Sequence, residues 1–338
     1  MNVILSSSPQ SNRRDPIDVA RNWLGKHDKV ALATVVSTWG SAPVPVGGHL
    51  VVAPDGRFEG SVSGGCIEID VITEASDITF DGRPKVLEFG IADEAAWRAG
   101  LPCGGTIKIL VETLSKADAP YLDGILEARR ARRSHVAAID LQTGRRRILD
   151  AKSAEGEVWQ RIESGESGVL SFDEVEAFLH VRLPTVRVVI AGATHITQVL
   201  APLAKHVGYD AVVVDPRTAF ASTERLGDTP TLIEWPKDGL AALGLDPRTA
   251  VVAVTHAAHL DDDALTAALR SDCLYIGALG SKKTHAKRLE RLRAAGFSDG
   301  DLERIHAPIG LAIGAKGPAE IALSILAEIV KVARRAGA

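Results

Sequence analysis

The chain has almost no cysteine, three residues in 338, and the count is odd. That excludes a disulfide framework and points to a reducing compartment. It also lacks a surplus of positive charge: 39 Lys and Arg stand against 43 Asp and Glu, a net charge of −4. No electrostatic footprint for nucleic acid results. The basic cluster of Arg129–Arg133 with Arg145–Arg147 flanks an expected hairpin and reads as a solvated face. No window reaches 18 uncharged apolar residues, so no membrane span is expected. The opening MNVILSSSPQSNRRDP has no apolar stretch of signal-peptide length. Internal repeats and low-complexity tracts are missing as well. The expectation is a soluble cytoplasmic protein.

What is present is an ordinary globular balance, 46% hydrophobic and 24% charged, in a chain too long for one core. Residues 1–14 read as a flexible polar tail. Asp15-Pro16 then supplies an N-cap and a first-turn proline for a helix to about Lys26. The β-branched run Lys29–Val36 reads as a buried strand, and Leu50–Val52 with Phe58–Val62 as a hairpin around Asp55-Gly56. A helix over 67–76 and a strand over Thr106–Glu112 follow. The pattern then predicts a helix over Ala119–Arg130, a hairpin turning at Gly144, and strands at Gly168–Phe172 and Glu176–Arg182. After Pro184 the style changes. Strands at Val186–Ala191, Ala211–Val214, Ala250–Val254 and Leu274–Ile276 alternate with helices over 196–206, 262–270 and 282–295, and an amphipathic helix Pro318–Arg335 closes the chain. Such alternation implies a doubly wound parallel sheet. The fold class expected is α/β: an N-terminal mixed α/β domain over 15–184 and a C-terminal Rossmann-like doubly wound parallel sheet over 185–338.

Two segments pair a cysteine with a double glycine: Ser61-Val62-Ser63-Gly64-Gly65-Cys66-Ile67-Glu68 and Gly100-Leu101-Pro102-Cys103-Gly104-Gly105. Each sets a thiol on a bend where backbone N–H groups are expected to stay free for a ligand. Thiols in such settings ionise readily and take soft metals or sulfur. A single cysteine of this kind is more often a small buried residue. Two of them in one half of the chain favour a shared site.

In the second half, Val186–Ala191 delivers Gly192 into a helix, the setting of a dinucleotide fingerprint, and Asp215 ends the next strand where an acid would bond a ribose. The fingerprint is broken, because Thr194 and Thr197 stand at its second and third glycine positions. A helix N-terminus survives there and attracts phosphate, with His195 beside it. Further along, Thr255-His256-Ala257-Ala258-His259-Leu260-Asp261 follows a buried strand at its carboxyl end. A metal reading of its histidines is weaker than a helix cap at Asp261. Gly277 and Gly280 admit a ligand or a close backbone. Ser281 caps the next helix, placing Lys282, Lys283 and His285 in its first turn, where positive charge is unfavourable without an anion.

Together these segments resemble the XdhC/CoxI family of xanthine dehydrogenase accessory proteins. The resemblance runs through Gly40-Ser41-Ala42-Pro43, Gly60–Glu68 and Cys103–Gly105, then Asp215-Pro216-Arg217, Thr255-His256, Tyr275–Gly277, Leu279–Ser281, Pro308–Leu311, Ile313–Ala315 and Pro318–Ala322; residues 115–184 are weakly covered. It implies a maturation factor without turnover of its own. Such a factor binds the molybdenum cofactor (molybdopterin), aids its sulfurated form and delivers it to a xanthine, aldehyde or carbon monoxide dehydrogenase. It also implies a homodimer and a cysteine desulfurase as a further partner. On that reading Cys66 and Cys103 contact the molybdenum–sulfur head, with Gly64, Gly65, Gly104 and Gly105 shaping their loops. Gly192, Thr194, His195, Asp215, His256, Gly277 and Ser281 serve the rest of the cofactor. The family usually has a more glycine-rich loop at Thr194 and Thr197, and an aspartate at Ala312. The first departure counts against bound NAD(P), the cofactor of a competing reading as an oxidoreductase.

Overall fold

The computed structural model describes residues 3–4, 15–40, 42–65, 67–90 and 105–335. The chain divides into two compact units, 13–184 and 185–338, the second taking in residues 1–12. The first strand in the chain, β1 (Val3–Ile4), belongs to the second unit, although it falls within the expected loose tail.

In the first unit α1 (Pro16–Leu24) begins where Asp15 caps it, the carboxylate accepting the Ile17 N–H at 2.8 Å. Strands β2 (Lys29–Trp39), β3 (His49–Val52) and β4 (Phe58–Gly60), helix α2 (Glu68–Asp81), and strands β5 (Lys85–Phe89) and β6 (Thr106–Ser115) follow. The strands form an antiparallel sheet ordered β4-β3-β2-β6-β5. Alternation along β2 sends Ala31, Ala33 and Val35 to a core with Val71 and Ala75 of α2. Val30 and Leu32 go to the other face, against Ile17 and Leu24 of α1 and Leu122 and Ile125 of α3 (Ala119–Arg130). Both faces are covered, so the strand reads as an unbroken apolar run. A second antiparallel sheet, ordered β8-β7-β10-β9, comprises β7 (His135–Asp140), β8 (Arg146–Asp150), β9 (Gly168–Phe172) and β10 (Val175–Arg182), with α4 (Gly156–Ser164) packed on it through Val158 and Ile162. Arg146 departs from the solvated-face reading: its guanidinium pairs with the buried Glu112 at 2.8 Å and with Asp118 at 2.7 Å. A buried carboxylate needs such a counter-charge, and β8 supplies it.

The second unit contains β11 (Arg187–Ala191), α5 (His195–His206), β12 (Asp210–Val214), α6 (Thr223–Leu226), β13 (Thr231–Leu232), α7 (Pro236–Leu243) and β14 (Thr249–Ala253). It continues with α8 (Ala258–Leu269), β15 (Tyr275–Ala278), α9 (Lys282–Ala294), α10 (Asp299–Leu302), β16 (Ile305–His306) and α11 (Pro318–Arg335). The sheet runs β1-β13-β12-β11-β14-β15-β16, parallel throughout except for β1 at its edge. Counted within the unit, the six parallel strands have the doubly wound order 3-2-1-4-5-6, with the topological switch between β11 and β14. Val188 and Ile190 of β11 face α5 and α11, while Val189 and Ala191 face α7 and α8. The expected α/β class is therefore the one found. Helix α8 starts at Ala258, earlier than expected, with Ala257 at its N-cap. Asp261 is consequently not a cap but a first-turn residue turned inward, 2% exposed. No described helix is long and apolar enough to cross a membrane.

Candidate functional site

In the first unit, residues 61–65 turn away from β4 ahead of α2, and Glu68 folds its carboxylate back onto the turn. Oε1 accepts the Ser61 hydroxyl at 2.6 Å and the N–H groups of Ser63 at 2.9 Å, Gly64 at 3.1 Å and Val62 at 3.2 Å. Oε2 accepts the Gly65 N–H at 2.8 Å and the Ser63 hydroxyl. Gly64 and Gly65 have φ of +81° and +116°, which glycine alone adopts without strain. The result is a cradle of N–H donors of the kind that binds anions. Its anion is internal, which corrects the expectation that these groups stay free: they are taken by Glu68. Burial opposes ionisation of Glu68, but the hydrogen bonds from Ser61, Ser63 and Val62 outweigh it and bring its pKa down to about 2. Cys66, Cys103 and Gly104 lie outside the described residues. The chain on either side of Cys66 is tied down, Gly65 to Glu68 and the Ile67 N–H to Ser63 Oγ at 3.1 Å. Gly105 leads directly into β6.

The same unit holds a polar cluster that the sequence did not signal. Arg182 donates to Nε2 of His49 at 2.6 Å, and Nδ1 of His49 meets Thr34 Oγ1 at 3.0 Å. Burial, then Arg182, holds His49 well below the usual imidazole range, so the ring accepts at Nε2 and donates through Nδ1.

In the second unit the expected residues gather along the carboxyl edge of the parallel strands, but several are occupied by the protein itself. Gly192 has φ +117°, and a Cβ there would lie 2.7 Å from Thr255 Cγ2 and 3.1 Å from its backbone nitrogen. The glycine lets β11 and β14 close up at the switch point. Asp215 is fully buried: it accepts the Ala193 N–H at 2.7 Å and is clasped by Arg217 at 2.9 and 2.7 Å. Burial would raise its pKa, yet Arg217 and the Ala193 N–H hold it below the usual carboxylate range. This corrects the expectation that Asp215 faces a ribose or phosphate; it staples the loop after β11 and has no lone pair to spare. Thr197, also fully buried, donates to the Gly192 carbonyl and accepts the Thr194 N–H at 3.2 Å, filling the gap that a nucleotide fingerprint leaves open. Gly277 is corrected likewise: its Cβ would lie 2.5 Å from Ile309 Cδ1 and 2.6 Å from Tyr275 Cε1, so protein rather than ligand occupies that approach.

Other residues stay open at this edge. His195, first in α5, is exposed, and Thr194 is half-buried. His256 is exposed and held at φ +63°, a costly conformation for a residue with a side chain. Ser281 caps α9, its hydroxyl accepting the Thr284 N–H at 3.1 Å. Beneath them Thr255 donates to Asp261 at 2.6 Å, and the other Asp261 oxygen lies 3.6 Å from Arg288 Nη2. At the far edge Glu328 accepts Tyr275 Oη at 2.6 Å and the Gly310 N–H at 2.9 Å, and its other oxygen meets His306 Nδ1 at 3.1 Å. No group of three metal-ligating side chains occurs among the described residues.

The chain that builds this arrangement is similar in sequence to known proteins. Residues 23–90 match the family model described as XdhC and CoxI family, and residues 188–329 match the XdhC Rossmann domain. The molybdenum cofactor insertion chaperone PaoD of Escherichia coli (strain K12) is 31% identical over 302 residues, 89% of this chain and 82% of that protein. The chain belongs to the XdhC/CoxI family. A protein of Bacillus subtilis (strain 168) described as a probable xanthine dehydrogenase subunit is 27% identical, covering 92% of this chain and 96% of its own length. A Bacillus halodurans crystal structure described as a xanthine dehydrogenase superposes with a TM-score of 0.76 at 26% identity, covering 95% and 96% of the two chains. In this XdhC/CoxI protein, sequence reasoning gave no site role to four residues that build these arrangements: Glu68, Arg217, Arg288, and Asp261, which it read as a helix cap. Glu68 was detectable in principle, since an acid at the start of a helix just after a glycine bend is placed to fold back. Arg288 had no local signal, because only the packing of α9 onto the sheet buries it.

Proposed function

We propose that this XdhC/CoxI protein binds the molybdenum cofactor as cargo, supports its sulfurated form and delivers it to a molybdenum hydroxylase of the xanthine, aldehyde or carbon monoxide dehydrogenase type. It acts in the cytoplasm, as a homodimer and without turnover of its own, and a cysteine desulfurase supplies the sulfur. The observation that carries this reading is the 31% identity, across 89% of the chain, with a protein named a molybdenum cofactor insertion chaperone. The chemistry of the chain supports it. Cys66 and Cys103 are soft ligands suited to a metal–sulfur head, and Gly64 and Gly65 hold the chain before Cys66 through the Glu68 clamp. His195, Thr194, His256 and Ser281 are polar groups at a sheet edge of the kind where α/β proteins take ligands. Gly192, Asp215 and Gly277 shape that edge from within.

The test is retention of released cofactor. After gel filtration, protein-bound molybdenum and the fluorescent oxidised pterin are expected to co-elute near one equivalent per chain. Cys66→Ala and Cys103→Ala are expected to lose the metal while keeping the fold by circular dichroism. Full retention by both variants would remove the thiols from the mechanism, and no retention by the wild type would remove the function. The strand order favours one alternative, an NAD(P)-dependent oxidoreductase. The buried, Arg217-clasped Asp215 opposes it, and a flat fluorescence titration with NADH and NADPH is the expected result.

A further inference from the structure

Helix α9 begins in a way that its own electrostatics disfavour. A helix N-terminus carries partial positive charge, and acidic residues usually settle there. The first turn of α9 has none and carries Lys282, Lys283 and His285 instead. Both lysines are exposed, and neither pairs with a carboxylate among the described residues. The Ser281 hydroxyl caps the Thr284 N–H, whereas the N–H groups of Lys282 and Lys283 have no intrahelical partner.

Arg288, two turns into the helix, provides an independent sign. It is 2% exposed, and its Nη2 donates to the Leu279 carbonyl at 2.8 Å, which aims the guanidinium at the turn leading into α9. A Cβ on Gly280 in that turn would lie 3.8 Å from Nη2. Nε and Nη1 of Arg288 are buried with no hydrogen-bond partner, and so is Nδ1 of the neighbouring His285. Asp261 lies 3.6 Å from Nη2 and is itself engaged by Thr255. Burial lowers the pKa of His285, with Arg288 adding to the effect. Buried donors left unsatisfied cost about 1–3 kcal/mol each, so a cluster of them calls for an acceptor. The turn lies at the carboxyl end of β15, on the ligand-binding edge of a doubly wound sheet.

We propose that the N-terminus of α9, with Lys282, Lys283, His285 and Arg288, is a binding site for a phosphomonoester. Resting on the function proposed above, this inference assigns the phosphate of the pterin cargo to α9 rather than to α5, where Asp215 and Thr197 have closed the loop.

The test uses the full chain and two kinds of probe, inorganic pyrophosphate and the oxidised pterin with and without its phosphate. Calorimetry is expected to show pyrophosphate binding to the wild type. Lys282→Glu with Lys283→Glu, both exposed and harmless to folding, is expected to weaken it about tenfold or more. His285→Gln should weaken it less, and Arg288→Lys, checked for folding by circular dichroism, should weaken it as well. The wild type is expected to prefer the phosphorylated pterin, and the double variant to lose that preference. Absence of pyrophosphate binding to the wild type, or equal binding by the double variant, would overturn the site. Retention of phosphorylated pterin by every variant at the wild-type level would overturn it while leaving the cofactor function standing. Pyrophosphate binding at α9 without any retention of cofactor would uphold the site and sink the function.

Discussion

At the scale of single residues, Glu68 shows how a ligand-like cradle becomes a structural clamp. Its pKa of about 2 in the folded chain lies below the ordinary 4.5 of a glutamate. A depressed folded pKa contributes stability that is fully present above the unfolded value and lost as pH falls through the folded one. The clamp should therefore contribute on the order of 3 kcal/mol above pH ~4.5, and this should fade as pH drops towards ~2. Urea unfolding of wild type and Glu68→Gln at a series of pH values checks it. The gap between them is expected to be widest near neutrality and to narrow in acid; a gap independent of pH would show that the charge is not what matters. Asp215 teaches the same lesson at the other end of the chain. The residue type and position of a ribose ligand are legible from sequence. That Arg217, two residues on, takes up both of its oxygens is a matter of side-chain geometry.

At the scale of elements, the signals that held are periodic or chemical. Asp15-Pro16 started α1, and the β-branched runs became β2, β11 and β14. The two-residue strands β13 and β16 and the single-turn helices α6 and α10 are too short to show a period, and they exist because neighbouring strands and helices hold them. Helix α5 is seated by packing. Leu200 on it is fully buried between β11, β12 and α11. Leu200→Ala should cost about 2–5 kcal/mol, read as a lowered urea midpoint at unchanged slope. A loss under ~1 kcal/mol would mean that the helix is not seated as described.

At the scale of the whole molecule, the family assignment and the doubly wound order make a carrier of a phosphate-bearing cofactor the reading to test. A ligand bound only by the folded chain stabilises it by mass action, about 2.7 kcal/mol at a hundredfold excess over Kd. Thermal unfolding with released cofactor is expected to shift upwards in proportion to the logarithm of its concentration. NADH and NADPH are expected to leave it unmoved, and a shift with either would restore the nucleotide reading.

Sequence alone determined the α/β class, the alternating second half, and the family through its ordered glycine, cysteine and histidine motifs. These are carried by residue type and by spacing along the chain, which need no third dimension. Only the tertiary structure decided which polar groups are open to a ligand. The donors of the glycine bend, the carboxylate of Asp215 and the approach at Gly277 look available in a one-dimensional reading. Glu68, Arg217 and Ile309 reach them only when the chain is folded. Arg288 is the converse: an ordinary basic residue of a surface-like helix, it becomes a buried guanidinium with two nitrogens, Nε and Nη1, left without an acceptor once α9 lies against the sheet. Burial and hydrogen-bond satisfaction are properties of surroundings. Those surroundings depend on side-chain geometry even for close neighbours such as Asp215 and Arg217, and at Gly277 and Arg288 they come from residues distant in sequence.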